Sequence, residues 1–150
     1  RKHTRCGLPL SSIAKRPHRV RLALISAANF GDSKGEYIHG WVSFGEVRFQ
    51  FSSEPEVEIW KCNCSICSMV DYEHLFIKHA HFNLLAGDKA LSEYTFGTGS
   101  AKHWFCSSCG VKSFYQPRSH PEAYSINLKC VENPPQVTNL VDFDGKNSFS

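Results

Sequence analysis

Three cysteines within six residues constrain this chain more than any other feature of its sequence. Cys62, Cys64 and Cys67 form a C-x-C-x-x-C group at the end of a predicted strand. Alternate side chains of a strand leave on one face, so Cys62 and Cys64 point together, and a two-residue turn can bring Cys67 to the same point. Three thiolates placed in this way can hold one metal ion. Tetrahedral thiolate sites favour zinc, while cysteines alone leave iron–sulfur chemistry open.

A second cysteine pair, Cys106 and Cys109, is a C-x-x-C followed by Gly110, which is the form of a zinc knuckle. Two ligands do not complete a tetrahedral site. The spacing permits a single four-sulfur site that joins this pair to Cys64 and Cys67, and it equally permits two separate ions. A thioredoxin-like redox pair is a third interpretation, but the βαβ pattern that surrounds such a pair is missing. We therefore predict that Cys106 and Cys109 contribute to metal binding.

The number and grouping of the cysteines argue against a disulfide framework. The chain has seven cysteines, an odd number, and no secretory apolar segment precedes them. The longest apolar run, residues 22–30, falls far short of the roughly 20 residues that cross a bilayer, so no membrane span is expected. These features predict a metal-binding protein inside the cell, in the cytoplasm or nucleus.

The charge is unevenly distributed along the chain. Residues 1–21 carry seven Lys or Arg and no acid, whereas the remainder has ten basic and fourteen acidic residues. We predict a flexible, basic leader over residues 1–35, which can also contact nucleic acid or chromatin. An Arg-rich, acid-free start resembles a mitochondrial transit peptide as well, although Pro9 and Pro17 would interrupt the amphipathic helix that such a peptide needs.

From residue 36 onward the sequence predicts short strands. Val47, Phe49 and Phe51 alternate with polar residues, and this two-residue period is typical of a half-buried strand. Turn-forming clusters separate such segments at spacings typical of an all-β sandwich or barrel, and helix is scarce. One domain is expected over residues 36–145, followed by a tail at 146–150. Further strands are predicted at 57–62, 74–77, 91–96, 102–106, 111–115, 124–128 and 137–143.

These motifs resemble the glutathione-dependent formaldehyde-activating enzyme family over about residues 36–145. Within that family the similarity is greatest to the centromere protein V branch. The residues that carry the resemblance are the run Cys62–Cys67, His74, the run Phe82–Gly87, the run Tyr94–Phe96, the run His103–Val111 and the run Ser113–Ser119.

The resemblance implies a mostly-β, Mss4-like (β-tent) fold of short antiparallel strands with two zinc ions. Cys62, Cys64 and Cys67 would hold a catalytic zinc whose remaining position accepts a glutathione sulfur. Cys106 and Cys109 would hold a structural zinc together with an earlier C-x-C. The implied activity is that of a carbon–sulfur lyase, in which a zinc-activated, glutathione-like thiol adds to a small carbonyl such as formaldehyde.

This chain departs from the family pattern at the earlier C-x-C, where it has Val42-Ser43-Phe44 directly before Gly45-Glu46-Val47-Arg48-Phe49. Two structural ligands are therefore missing. We expect one zinc ion, with the second site lost or weakened. Phe44 would fill the lost site, or a weakened site would use a substitute ligand such as His39, His103, Cys6 or Cys130.

The sequence also allows expectations for the two histidines and for three of the basic residues. His74 and His103 are expected to be packed rather than to act as acid or base. Lys102, Lys112 and Arg118 either meet a glutathione carboxylate or lie on a solvated strand face.

The alternative function comes from a different class of protein. It is a non-catalytic, zinc-stabilised interaction module of the centromere protein V type, which would bind chromatin, nucleic acid or microtubules through the basic leader.

Overall fold

The computed structural model describes residues 37–41 and 45–148. The predicted leader at 1–35, Cys6 and the Val42–Phe44 departure lie outside these residues. Within them the chain is mostly β, and no helix is long and apolar enough to cross a membrane. The strands are β1 (Tyr37–Trp41), β2 (Arg48–Ser52), β3 (Glu56–Cys62), β4 (Glu73–Lys78), β5 (Phe82–Ala86), β6 (Leu91–Tyr94), β7 (Lys102–Cys106), β8 (Phe114–Gln116), β9 (Ala123–Asn127), β10 (Val131–Glu132) and β11 (Gln136–Phe143), and the helix is α1 (Ser65–Met69).

The strands form two sheets. One has the order β10-β1-β2-β5 and the other has the order β11-β3-β4-β9-β8-β7-β6. Neighbouring strands pair antiparallel except β11, which pairs parallel with β3. The predicted mostly-β architecture of short strands is therefore confirmed, with one parallel pair that the alternation of side chains does not reveal.

The main core contains side chains from both sheets. The alternation predicted for β2 is present, since Phe49 and Phe51 are fully buried while Arg48 is exposed. The Phe49 ring centroid lies 5.5 Å from that of Phe82 on β5 and 5.6 Å from that of Phe114 on β8. Phe49 therefore connects the two sheets through aromatic contacts.

The prediction of a strand at 111–115 is wrong in its first half. The backbone N–H of Cys106 donates to Val111, and that of Gly110 donates to Cys106, so this segment is the tight turn after β7. Gly110 has a φ of 74°, which glycine adopts without steric cost. The next strand begins only at Phe114, and Lys112 therefore lies on a loop rather than on a strand.

Candidate metal centre

The three clustered cysteines lie where β3 ends and α1 begins. Cys62 is the last residue of β3, Cys64 precedes the helix, and Cys67 lies within it. The sulfur atoms of all three lie within 4.8 Å of one another. Cys67 is buried and the other two are half-buried. The structure thus brings together the three thiols that the sequence singled out, and the predicted turn is the first turn of the helix.

These thiols fit a zinc ion. Tetrahedral zinc with sulfur ligands at about 2.3 Å needs sulfur–sulfur separations of about 3.8 Å. The separations in this group satisfy that need with small side-chain movements. Among the described residues no fourth Cys, His, Asp or Glu joins the group. The arrangement can therefore supply three soft ligands and leave one coordination position for another molecule.

A turn at residues 144–146 contacts the segment that carries the three clustered cysteines. The Asn63 side chain donates to Asp144 Oδ1 at 2.9 Å and accepts from the Lys146 backbone N–H at 2.9 Å. The backbone N–H of Asn63 donates to Phe143 at 3.2 Å. Gly145 lies so close that a Cβ built on it would be 2.4 Å from the Cys62 sulfur. Sequence analysis missed this turn, since nothing local to residues 144–146 indicates a distant partner.

Replacing Gly145 with alanine should weaken metal binding. The added methyl group would displace the Cys62 sulfur, and a short cysteine side chain cannot both move away and stay in the ligand set. Losses of roughly 10- to 100-fold in metal affinity are typical when the surroundings of a ligand change. Competition with a chromophoric chelator measures the zinc affinity of Gly145→Ala. Lys146→Ala is the control, because its side chain is exposed and its backbone bond to Asn63 remains. Equal affinities for both variants would contradict the prediction.

The three thiols have different acidities. Burial raises the pKa of Cys67 far above its ordinary value, and the Lys112 charge offsets this only in part. Burial also raises the pKa of Cys62. Burial acts in the same direction on Cys64, but backbone N–H groups at the start of α1 and the two neighbouring thiols outweigh it, so the pKa of Cys64 is lowered. Cys64 is therefore the thiol most ready to become a thiolate.

The thiol group lines a cleft of about 720 Å³. Trp60 also lines the cleft, and its ring centroid is 5.4 Å from that of Phe76 and 5.3 Å from that of Phe143. Arg118 and Lys146 also line the cleft and are exposed. The cleft thus combines an aromatic wall, two cationic side chains and three thiols.

Two histidines line the same cleft and are buried, as expected for packed residues. His74 is 2% exposed and His103 is 4% exposed. The Nε2 atom of each ring is buried without a hydrogen-bond partner among the described residues. The Nδ1 atom of His74 lies 2.9 Å from Ser125 Oγ and 3.4 Å from Tyr115 Oη. In each ring, therefore, only Nδ1 has a hydrogen-bond partner among the described residues.

The expectation that Lys112 lies on a solvated strand face is wrong, because this lysine is half-buried on a loop. Its Nζ lies 2.9 Å from His103 Nδ1 and 4.0 Å from the centroid of the Tyr115 ring. Burial lowers the pKa of Lys112 to about 8, and charges on Cys67, Cys64 and Cys62 act in the opposite direction. No feature of the sequence distinguishes this lysine from a surface one, because its loop position depends on the turn before it.

The second cysteine pair lies apart from the first. Cys106 belongs to the main core, and its thiol donates to Glu46 Oε2 at 3.6 Å. Cys109 packs against the same core. It also lies near Cys130, whose pKa is raised to about 11 by burial and, to a smaller extent, by Cys109. The structure therefore does not form the four-sulfur site that the spacing permitted. Metal binding by Cys106 and Cys109 stays a prediction.

His103 is not placed to substitute for a missing ligand of this pair. His103 and Cys106 are an odd number of residues apart on β7, so their side chains leave opposite faces. His103 faces the cleft that holds the first three thiols. Cys130, by contrast, does lie near Cys109.

Comparisons with known proteins agree with the fold. A solved Rhodobacter sphaeroides protein from a structural genomics programme has a similar structure, with a TM-score of 0.61 and 27% sequence identity. The match covers 69% of this chain and 99% of that protein. Residues 37–143 match the family described as glutathione-dependent formaldehyde-activating enzyme, and this match confirms the Mss4-like fold. The matched residues make up more than half of the chain and include both cysteine groups, so the chain belongs to the glutathione-dependent formaldehyde-activating enzyme family.

Proposed function

We propose that this chain is a zinc-dependent enzyme of the carbon–sulfur lyase type, in which a glutathione-like thiol adds to, or leaves, a small carbonyl such as formaldehyde. The observation that carries the proposal is the gathering of three thiols on the wall of an open cleft. A structural zinc is closed by four protein ligands, whereas a catalytic zinc has three and keeps one position for a substrate. Cys62, Cys64 and Cys67 would be the ligands.

The proposed reaction is balanced without any oxidant or reductant. A bound zinc ion would lower the pKa of an incoming thiol and so supply a thiolate at neutral pH. The sulfur lone pair forms the carbon–sulfur bond while the π pair of the carbonyl moves to the oxygen. The oxygen then takes up one proton in place of the proton that the thiol released. The product is an S-hydroxymethyl thiol, and the lyase direction breaks the same bond.

The walls of the cleft suit a small anionic thiol. Glutathione carries two carboxylates, and the Arg118 and Lys146 side chains place positive charge at the cleft. The aromatic wall around Trp60 offers apolar surface that excludes water from the reacting atoms. A thiol substrate and reduced cysteines both favour a location inside the cell.

The test follows formaldehyde exchange with glutathione by NMR in the presence of the zinc-loaded protein. We expect exchange between free formaldehyde and S-hydroxymethylglutathione to be faster than in buffer alone. Chelator treatment should return the rate to that of buffer, because the thiol then loses its activation. A buffer-like rate with the zinc-loaded protein would refute the proposed enzyme.

A non-catalytic interaction module remains the second candidate, because all seven Lys and Arg of residues 1–21 occur without any acid. This is the function that the centromere protein V branch suggests. Binding of duplex DNA through these residues would weaken steeply with salt and would be lost when all seven are replaced by glutamine. Formaldehyde exchange would be unaffected by that replacement, so the two functions can be separated in one protein.

A further inference from the structure

The pair formed by Lys112 and His103 determines which imidazole nitrogen carries the proton. A lysine ammonium has three donors and no acceptor, so at 2.9 Å Lys112 Nζ donates to His103 Nδ1. His103 is neutral at pH 7, because burial and then the Lys112 charge lower its pKa to about 4. A neutral imidazole carries one proton, and the accepting Nδ1 cannot hold it. The network therefore places the proton of His103 on Nε2.

The orientation of this donor is fixed by its neighbours. The His103 ring stacks on Tyr115, with centroids 4.8 Å apart and planes 14° apart. It also stacks on Phe96, at 5.4 Å and 18°. The hydrogen bond between Lys112 Nζ and Nδ1, together with these two stacked rings, restricts rotation of the imidazole. His103 thus presents a preorganised N–H group rather than a mobile one.

His103 is one of the residues that line the thiol cleft, and its Nε2–H group is buried at that site. His103 Nε2 is buried without a hydrogen-bond partner among the described residues, and the residue is 4% exposed. A buried donor left unpaired costs free energy, and such groups in native structures generally have a reason. His74 Nε2 is also unpaired, but the hydroxyl groups at its Nδ1 leave its tautomer open. Of these two histidines, therefore, only His103 has a hydrogen bond at Nδ1 that places its proton on Nε2.

We propose that His103 Nε2–H donates a hydrogen bond to the oxygen of the carbonyl substrate in the thiol cleft, and that Lys112 is the positioning residue that keeps the proton on that nitrogen. The proposal rests on the proposed function, since addition of a thiolate drives negative charge onto this oxygen. A preorganised donor aimed at developing charge stabilises the transition state more than the ground state. His103 acts here without gaining or losing a proton.

The first test reads the tautomer directly and does not need activity. Long-range ¹H–¹⁵N NMR of the zinc-loaded full chain reports which imidazole nitrogen is protonated, and His103→Gln assigns the signals. We expect the proton on Nε2 in the parent protein and a mixture of tautomers in Lys112→Met. Lys78→Met is the matched control, because that lysine is exposed at the end of β4. A proton on Nδ1 in the parent would overturn the proposal.

The second test separates donation from a structural role. In the exchange assay we expect His103→Leu to lower kcat by about 100-fold with little change in KM, since the loss of one such donor costs roughly this much. His103→Gln should retain most activity, because its amide N–H can occupy the position of Nε2–H. Lys112→Met should fall between them and Lys78→Met should match the parent. Equal kcat for the leucine variant and the parent would overturn the proposal and leave the enzyme intact.

The two proposals fail in different ways. A zinc-loaded parent without exchange activity refutes the proposed enzyme. In that case the proposed hydrogen bond from His103 is tested by following its Nε2–H resonance while glutathione and formaldehyde are added. A shift of that resonance supports the hydrogen bond. An unchanged resonance at saturating glutathione and formaldehyde overturns it.

Discussion

Cys64→Ser should lose its zinc ion and its thiol-dependent activity together. The serine hydroxyl is a far weaker zinc ligand than a thiolate, and Cys64 is the thiol whose pKa is lowered in the cluster. Structural zinc sites with four ligands bind with roughly 10–16 kcal/mol, so one ligand contributes about 2.5–4 kcal/mol. We therefore expect zinc affinity to fall by a few hundredfold. Native mass spectrometry measures the ion count, and formaldehyde exchange measures the activity.

Cys130→Ser is the matched control for this experiment. Cys130 is also partly buried, but it lies near Cys109 rather than with the three clustered thiols. This variant should keep the ion at Cys62, Cys64 and Cys67 and keep its exchange activity. If Cys64→Ser retained full activity while Cys130→Ser lost it, the catalytic site would have to lie at the second cysteine pair.

The thiol cluster was predictable because its members are local. Cys62, Cys64 and Cys67 lie within six residues, and strand geometry with one helical turn is enough to bring them together. The supports of the cluster were not predictable from the sequence. Gly145 reaches Cys62 only because β11 runs beside β3 and ends at the same level. Local patterns carry no information about such a distant contact.

The same limit explains what sequence analysis could say about the fold. Alternation identified the buried face of β2, since each strand position fixes the side on which its residue lies. Alternation does not give the direction in which two strands pair, so the parallel pair of β11 and β3 was missed. Because of the tight turn ending at Val111, the strand is shorter than predicted and Lys112 Nζ lies 2.9 Å from His103 Nδ1. A single turn thus decided whether that lysine is a surface residue or part of the site.

The aromatic contact between the sheets depends on Phe49. Its ring is fully buried and lies near three other phenylalanine rings, on β2, β5 and β8. The packing around it is tight, since a Cβ built on Gly40 would lie 2.2 Å from the Phe49 ring. A cavity at this position would remove contacts from both sheets at once.

Phe49→Ala should therefore lower the free energy of unfolding by about 4 kcal/mol, because it combines lost apolar burial with a cavity that the two sheets cannot fully close. Urea unfolding of zinc-loaded protein, followed by circular dichroism, measures the change. The control is Leu85→Ala on β5 of the same sheet, whose side chain is 44% exposed and whose loss should cost only about 0.5 kcal/mol. Similar losses for the two variants would show that Phe49 does not connect the two sheets.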